Sequence, residues 1–196
     1  MARAIVMLLL LCVAGWPAPA TAQGVYALDP RYARIGFSVS HMGLFSSEGQ
    51  FARFDSQLTI DPAHPEQTRI MVRIDADSVV MASEEGVAML RSPAYFDVAH
   101  YPAIRFRSIS VAPGARNDYS ILGEVELRGV TRPMRLAARL VNRQRDPTGG
   151  ETVDFEVSGI LHRGEFGMVA DTSFIADEIA LNILARLRLA DDRPGG

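Results

Sequence analysis

The chain has 196 residues, 48% of them apolar, with 20 basic and 23 acidic side chains and a single cysteine. That length suits one domain with its own core, and a slight acidic excess with no basic block argues against nucleic-acid binding. No apolar run reaches the roughly 18 residues that a membrane-spanning helix needs, so no stable membrane span is expected.

Residues 1–22 read as a secretory signal. Arg3 supplies the positive n-region, Ile5 to Gly15 the apolar h-region, and Ala20-Thr21-Ala22 a cleavage site of the A-x-A type. Cys12 falls inside this segment, so the mature chain holds its fold without a disulfide. Once Arg3 is removed, 19 arginines face 23 acids, a net charge of −4. The mature domain is expected over 23–190, and Asp191 to Gly196 reads as a loose tail.

From there a period of two recurs. Ile35, Phe37 and Val39 alternate with polar or small neighbours, as do Ile70, Val72 and Ile74. Residues 83–92 break the pattern: Val87, Leu90 and Arg91 fall at helical spacing, and Tyr95, Phe96 and Tyr101 lead back into a strand. The alternation resumes at Val125 and Leu127, at Met134, Leu136 and Ala138, at Val153, Phe155 and Val157, and at Ile179, Leu181 and Ile183. Turn chemistry fills the gaps, with Asp61-Pro62 through Pro65, Pro113-Gly114, Asn117-Asp118 and Asp146-Pro147-Thr148-Gly149-Gly150. Strands apolar on one face only are antiparallel strands around one core. This pattern fits an all-β domain of about eight strands, and both a sandwich and a closed up-and-down barrel satisfy it.

Several motifs, in order, resemble those of the YceI-like family of secreted, lipocalin-like polyisoprenoid-binding proteins. They are Tyr26-Ala27-Leu28-Asp29, then Ile35-Gly36-Phe37-Ser38-Val39-Ser40-His41-Met42-Gly43, and Glu48 to Phe54. Leu90 to Asp97, Tyr101 to Phe106, Gly123 to Thr131 and His162 to Met168 follow. The resemblance implies a single antiparallel barrel of about eight strands with a short helical insert near 83–92. It also implies a periplasmic location, a possible homodimer and an apolar interior that holds an isoprenoid lipid or quinone as ligand. On that reading the tail sits among Phe37, Phe54, Ile74, Val87, Met89, Leu90, Phe106, Val125, Leu136, Phe155, Phe166 and Leu181, and the insert lies across one mouth. One departure stands out. Where the family reads Arg-Asp-x-His before its Leu, this chain has Gly86, Val87 and Met89, which exchanges three polar groups for two apolar ones and a glycine.

Reactive chemistry is sparse. His41, His64, His100 and His162 show no ligand spacing on one element; His41 with His162 is the first choice should a pair converge, and each is expected to bond the backbone. Gly36-Phe37-Ser38-Val39-Ser40 lacks the second glycine and the strand-to-helix turn of a nucleophile elbow. Glu84, Glu85, Glu124 and Glu126 read as solvent-facing, and Arg163 with Glu165 as an ion pair or hydrogen bond pinning a turn. No cofactor, no metal and no catalytic residue is assigned. A binding protein is therefore expected, with an enzyme or oxidoreductase accessory acting on such a lipid, or a ligand-free structural or stress protein, as alternatives.

Overall fold

The computed structural model describes residues 26–60, 64–145 and 150–189. The expected signal segment, Cys12 and the tail at 191–196 lie outside the described residues. The elements in chain order are β1 (Tyr26–Leu28), β2 (Arg34–His41), β3 (Phe45–Phe51), β4 (Phe54–Thr59), β5 (Arg69–Asp75) and β6 (Val79–Met81). Then come the helix α1 (Glu84–Arg91), β7 (Ala103–Pro113), β8 (Asp118–Leu127), β9 (Val130–Arg145), β10 (Glu151–His162) and β11 (Ile175–Leu189). All pairings are antiparallel, in the order β4-β5-β7-β8-β9-β10-β11-β2-β3-β6, with β1 also on β11.

Among the described residues the strands number eleven, which corrects the expected eight. The excess comes from one bend and two patches. β3 and β4 run in the same direction on either side of Ala52 and Arg53; β3 pairs with β2 and β4 with β5, so the two act as halves of one strand turning a corner. β6, only three residues long, covers the edge of β3 that this corner leaves free. β1 covers the end of β11 beyond the reach of β2 and lies alongside β4, so the sheet curls back towards its own first strand. Bulges between Ser108 and Ser110, Asp154 and Phe155, and Ile175 and Ile179 add the local bending that such curling needs.

The alternation read from sequence is the alternation of the walls. Ile35, Phe37, Ile121, Val125, Leu127, Met134, Leu136 and Ala138 all face in and are buried. On the outer face Glu124 and Glu126 pair across the strands with Arg107 and Arg105, exposed ion pairs of the kind worth little individually. The helix spans Glu84–Arg91, and Ser83 caps it by accepting the Gly86 amide at 3.2 Å. Glu84 and Glu85 lie in its first turn, exposed and suited to the helix dipole.

Candidate functional site

The inward faces do not meet at the barrel centre. They enclose a cavity of about 510 Å³, within the range of roughly 300–1,000 Å³ that holds a single small molecule. Three glycines explain why large inward side chains leave this space. A Cβ on Gly49 would stand 2.4 Å from Phe37 Cζ, one on Gly123 2.5 Å from Phe106 Cζ, and one on Gly159 2.5 Å from Leu136 Cδ2. Each bulky group therefore lies flat on a glycine of the neighbouring strand and stays against the wall. The side chains of β10 and β11 show the consequence: Phe155, Val157, Leu161, Ile179, Leu181 and Ile183 line the cavity, yet each is only half-buried. In a filled core those side chains would be buried on all sides.

One end of the cavity is plugged. Tyr26, Val153 and Leu187 form a second buried cluster there, with Leu28, Leu58, Ile60 and Leu140 packed on it. A belt of ion pairs surrounds the plug. Asp29 accepts from Arg31 at 2.8 Å and from Arg188 at 3.5 Å, and the Arg31 hydrogen bond draws its carboxyl pKa down to about 2. Asp154 accepts from Arg186 at 2.6 and 2.9 Å and from Asn142 at 3.1 Å, and Arg186 holds its pKa below the usual carboxylate range. The Arg186 guanidinium lies 4.3 Å above the Tyr32 ring.

The other end carries the helical insert. Gly86, Met89 and Leu90 of α1 line the cavity, and Met89 is 38% exposed, as a residue at a mouth should be. No residue of the helix is buried; Arg91 at its end ties it to Asp77, and the segment at 93–97, immediately after it, adds further attachment. Phe96 closes an aromatic cluster with Phe51 at 5.7 Å and Phe37 at 6.4 Å between ring centroids. The Tyr95 hydroxyl donates to Asp171 Oδ2 at 2.6 Å, and burial, with that carboxylate, pushes its pKa up to about 12. Arg128 donates to the carbonyls of Pro93 and Tyr95.

Nine of the twelve side chains expected around the tail are on the cavity wall: Phe37, Ile74, Met89, Leu90, Phe106, Val125, Leu136, Phe155 and Leu181. Three are not. Phe54 sits at the β3–β4 corner beside a surface groove with Ala52 and Asp55, Val87 packs on the edge of the core, and Phe166 is buried in the turn at 163–166, behind the wall. Sequence reading missed Phe51 and Phe96, because Phe51 ends a polar strand, FSSEGQF, and Phe96 lies in a loop.

The histidines and Arg163 also depart from expectation. His162 faces outward with Nδ1 3.1 Å from the Asp177 carboxylate, whereas His41 lines the cavity. The two therefore do not converge, and among the described residues no group of three or more His, Cys, Asp or Glu could hold a metal. Nε2 of His41 is buried with no hydrogen-bond partner among the described residues, so the expected backbone bond is not made at that atom. Arg163, 2% exposed, does not reach Glu165; it donates to the carbonyls of Ala170 at 2.7 Å and of Met168, Ile175 and Ala176 at 3.0 Å. It pins the long β10–β11 connection from inside.

A curled antiparallel barrel with a hollow apolar interior, plugged at one end and lidded at the other, has the architecture of a lipocalin-like small-ligand binder. The YceI-like domain profile matches residues 26–187, and the chain belongs to that family. It is 32% identical over 160 residues to Protein YceI of Escherichia coli, covering 81% of this chain and 83% of that one. A UPF0312 protein of Azotobacter vinelandii is 31% identical with the same coverage. Among solved structures, Burkholderia cenocepacia BcnA superposes with a TM-score of 0.73 at 22% identity, over 81% of this chain and 98% of that one. A polyisoprenoid-binding domain from Saccharophagus degradans, implicated in plant cell wall breakdown, superposes with a TM-score of 0.59 at 15% identity, over 85% and 99%. At these identities the two structures share the fold with this chain.

Proposed function

We propose that this protein is a periplasmic carrier or reservoir for an isoprenoid-tailed lipid of the quinone or polyprenol type, a binding protein and not an enzyme. The observation that carries this reading is the cavity of about 510 Å³, walled by inward aliphatic and aromatic side chains that remain half-open to it. Such a wall packs a tail and does not react with it. Burial supplies about 25 cal/mol per Å² of apolar surface before the costs of association. The polyisoprenoid binding named for the Saccharophagus domain supports the choice of ligand, and the signal pattern at 1–22 supports export.

The test is organic extraction of protein taken from its native compartment without detergent, followed by lipid mass spectrometry. One isoprenoid lipid near stoichiometric amount is the expected result, and its absence from fresh protein defeats the reading. Calorimetry gives a second measure. A ligand at about 1,000 times its Kd adds roughly 4 kcal/mol, and each kcal/mol moves Tm by about 2–4 °C at this size. Stripping the lipid should therefore lower Tm by about 8–16 °C. Identical curves for loaded and stripped protein would instead favour a ligand-free structural role.

A further inference from the structure

The lidded end of the cavity contains two features that an apolar tail does not explain. His41 points inward from the end of β2, and its buried Nε2 meets no partner among the described residues. A buried polar atom left unpaired costs stability, and an apolar side chain would serve a purely apolar pocket better. Arg163 is the second. Arg163 lines the same cavity, and the four hydrogen bonds of its guanidinium all go to backbone carbonyls. A guanidinium carries five N–H donors and accepts nothing, so one N–H on Nη2 remains. Among the described residues no carboxylate pairs with this buried cation; Asp171 is exposed, and its carboxylate takes the Tyr95 hydroxyl.

The two groups belong to one place. Ile175 is the β11 residue paired with His41, and the Ile175 carbonyl accepts the Arg163 Nη2 bond at 3.0 Å. His41 and Arg163 thus flank the same strand end. Carbonyl dipoles solvate the Arg163 charge, and no carboxylate among the described residues bonds it, so a cation stands on this wall of a mostly apolar cavity. A neutral imidazole places its proton on either nitrogen, so Nε2–H is open to an arriving acceptor.

We propose that His41 Nε2 and the guanidinium of Arg163 form a head-group site for an oxyanion, and that the ligand is an acidic prenyl lipid, a phosphate or carboxylate, in preference to a prenyl alcohol. The inference rests on the carrier reading, keeps its isoprenoid tail and replaces the quinone or polyprenol head with an acid. An oxyanion offers several acceptor lone pairs and the missing negative charge, and bonds from charged donors are about twice as strong as neutral ones. Holding Arg163 as a turn clasp accounts for its four carbonyls but not for His41.

The experiment compares farnesyl phosphate, farnesoate and farnesol, which share one tail, by calorimetric titration of the mature protein. Either acid should bind at least about tenfold more tightly than the alcohol, and the tighter of the two identifies the head group. His41→Phe should bring the ratio of acid to alcohol affinity to near unity, His41→Gln, which keeps an N–H donor, should retain most of it, and His162→Gln on the outer face should leave it unaltered. Substituting Arg163 risks the β10–β11 connection, so the deciding substitutions are those of His41. Equal affinities in the wild type, or an undiminished ratio in His41→Phe, overturns the oxyanion site while leaving the carrier reading intact. If none of the three prenyl compounds binds, both fall.

Discussion

The two ends of the barrel are built from different materials. At the plugged end, Tyr26, Val153 and Leu187 are buried, and the carboxylates of Asp29 and Asp154 meet Arg31, Arg188 and Arg186, two of them from elements far away in sequence. At the lidded end, α1 buries no residue and is tied by the exposed Arg91–Asp77 pair, while Phe96, the Tyr95–Asp171 bond and Arg128 attach the segment after it. The plugged end is locked by charge and packing together, while the lidded end is held by a few anchors behind a loosely packed helix. The proposed carrier role needs such an asymmetry, with one end carrying the stability and the other free to open at modest cost.

Phe96→Ala should give the largest effect. It removes the ring that joins the lid to Phe37 and Phe51, and should cost about 3–5 kcal/mol in denaturant unfolding. A loss under about 1 kcal/mol would mean that the lid is anchored elsewhere. Asp154→Asn at the opposite end should cost about 1–2 kcal/mol. Its readout against acid sharpens the contrast. The folded pKa values of Asp29 and Asp154 lie below the unfolded ones, so their contribution is complete above about pH 5 and drains away as pH falls through about 4 towards 2. Asn at either position should flatten that acid slope.

Tyr95→Phe probes the lidded end from the alkaline side. With a folded pKa of about 12 against an ordinary value of 10.0, Tyr95 contributes stability that is full below about pH 10 and lost as pH climbs towards 12. The variant should cost about 1 kcal/mol at neutral pH and flatten the alkaline slope in pH-dependent melting, leaving the part that Tyr26 supplies. An unchanged slope would remove Tyr95 from the latch. Acid thus loosens the plugged end through Asp29 and Asp154, and alkali acts on both ends, on the lid through Tyr95 and on the plug through Tyr26, whose pKa burial raises. Met89→Asp should have the smallest effect on stability, within about 0.5 kcal/mol because the site reaches water. Its effect belongs to retention: a carboxylate at the mouth should speed loss of bound lipid with the far-UV spectrum unchanged. Undiminished retention would mean that α1 does not gate the cavity.

Much of this architecture was legible locally. Alternation at Ile35–Val39, Val125–Leu127 and Met134–Ala138 predicted the inward faces, and the helical spacing of Val87, Leu90 and Arg91 predicted the insert. β3 and β4 were harder to read, because their polar sequences hide which residues face in and because the corner at Ala52–Arg53 divides one strand between two partners. Phe166 and Phe54 look like tail-binding aromatics in sequence, but a turn and a corner move them off the wall.

The sequence by itself determined which side of each strand is apolar, because a period of two is a property of consecutive residues. Whether those apolar sides touch each other or enclose space was decided only by tertiary structure. The register sets Phe37 opposite Gly49 and Leu136 opposite Gly159, and packing lays Phe106 on Gly123, so each group lies against the wall and the centre remains open. The same long-range pairing brings Ile175 beside His41 and under the Arg163 guanidinium. The polar pole of the cavity thus depends on residues more than a hundred positions apart, which no local pattern could join.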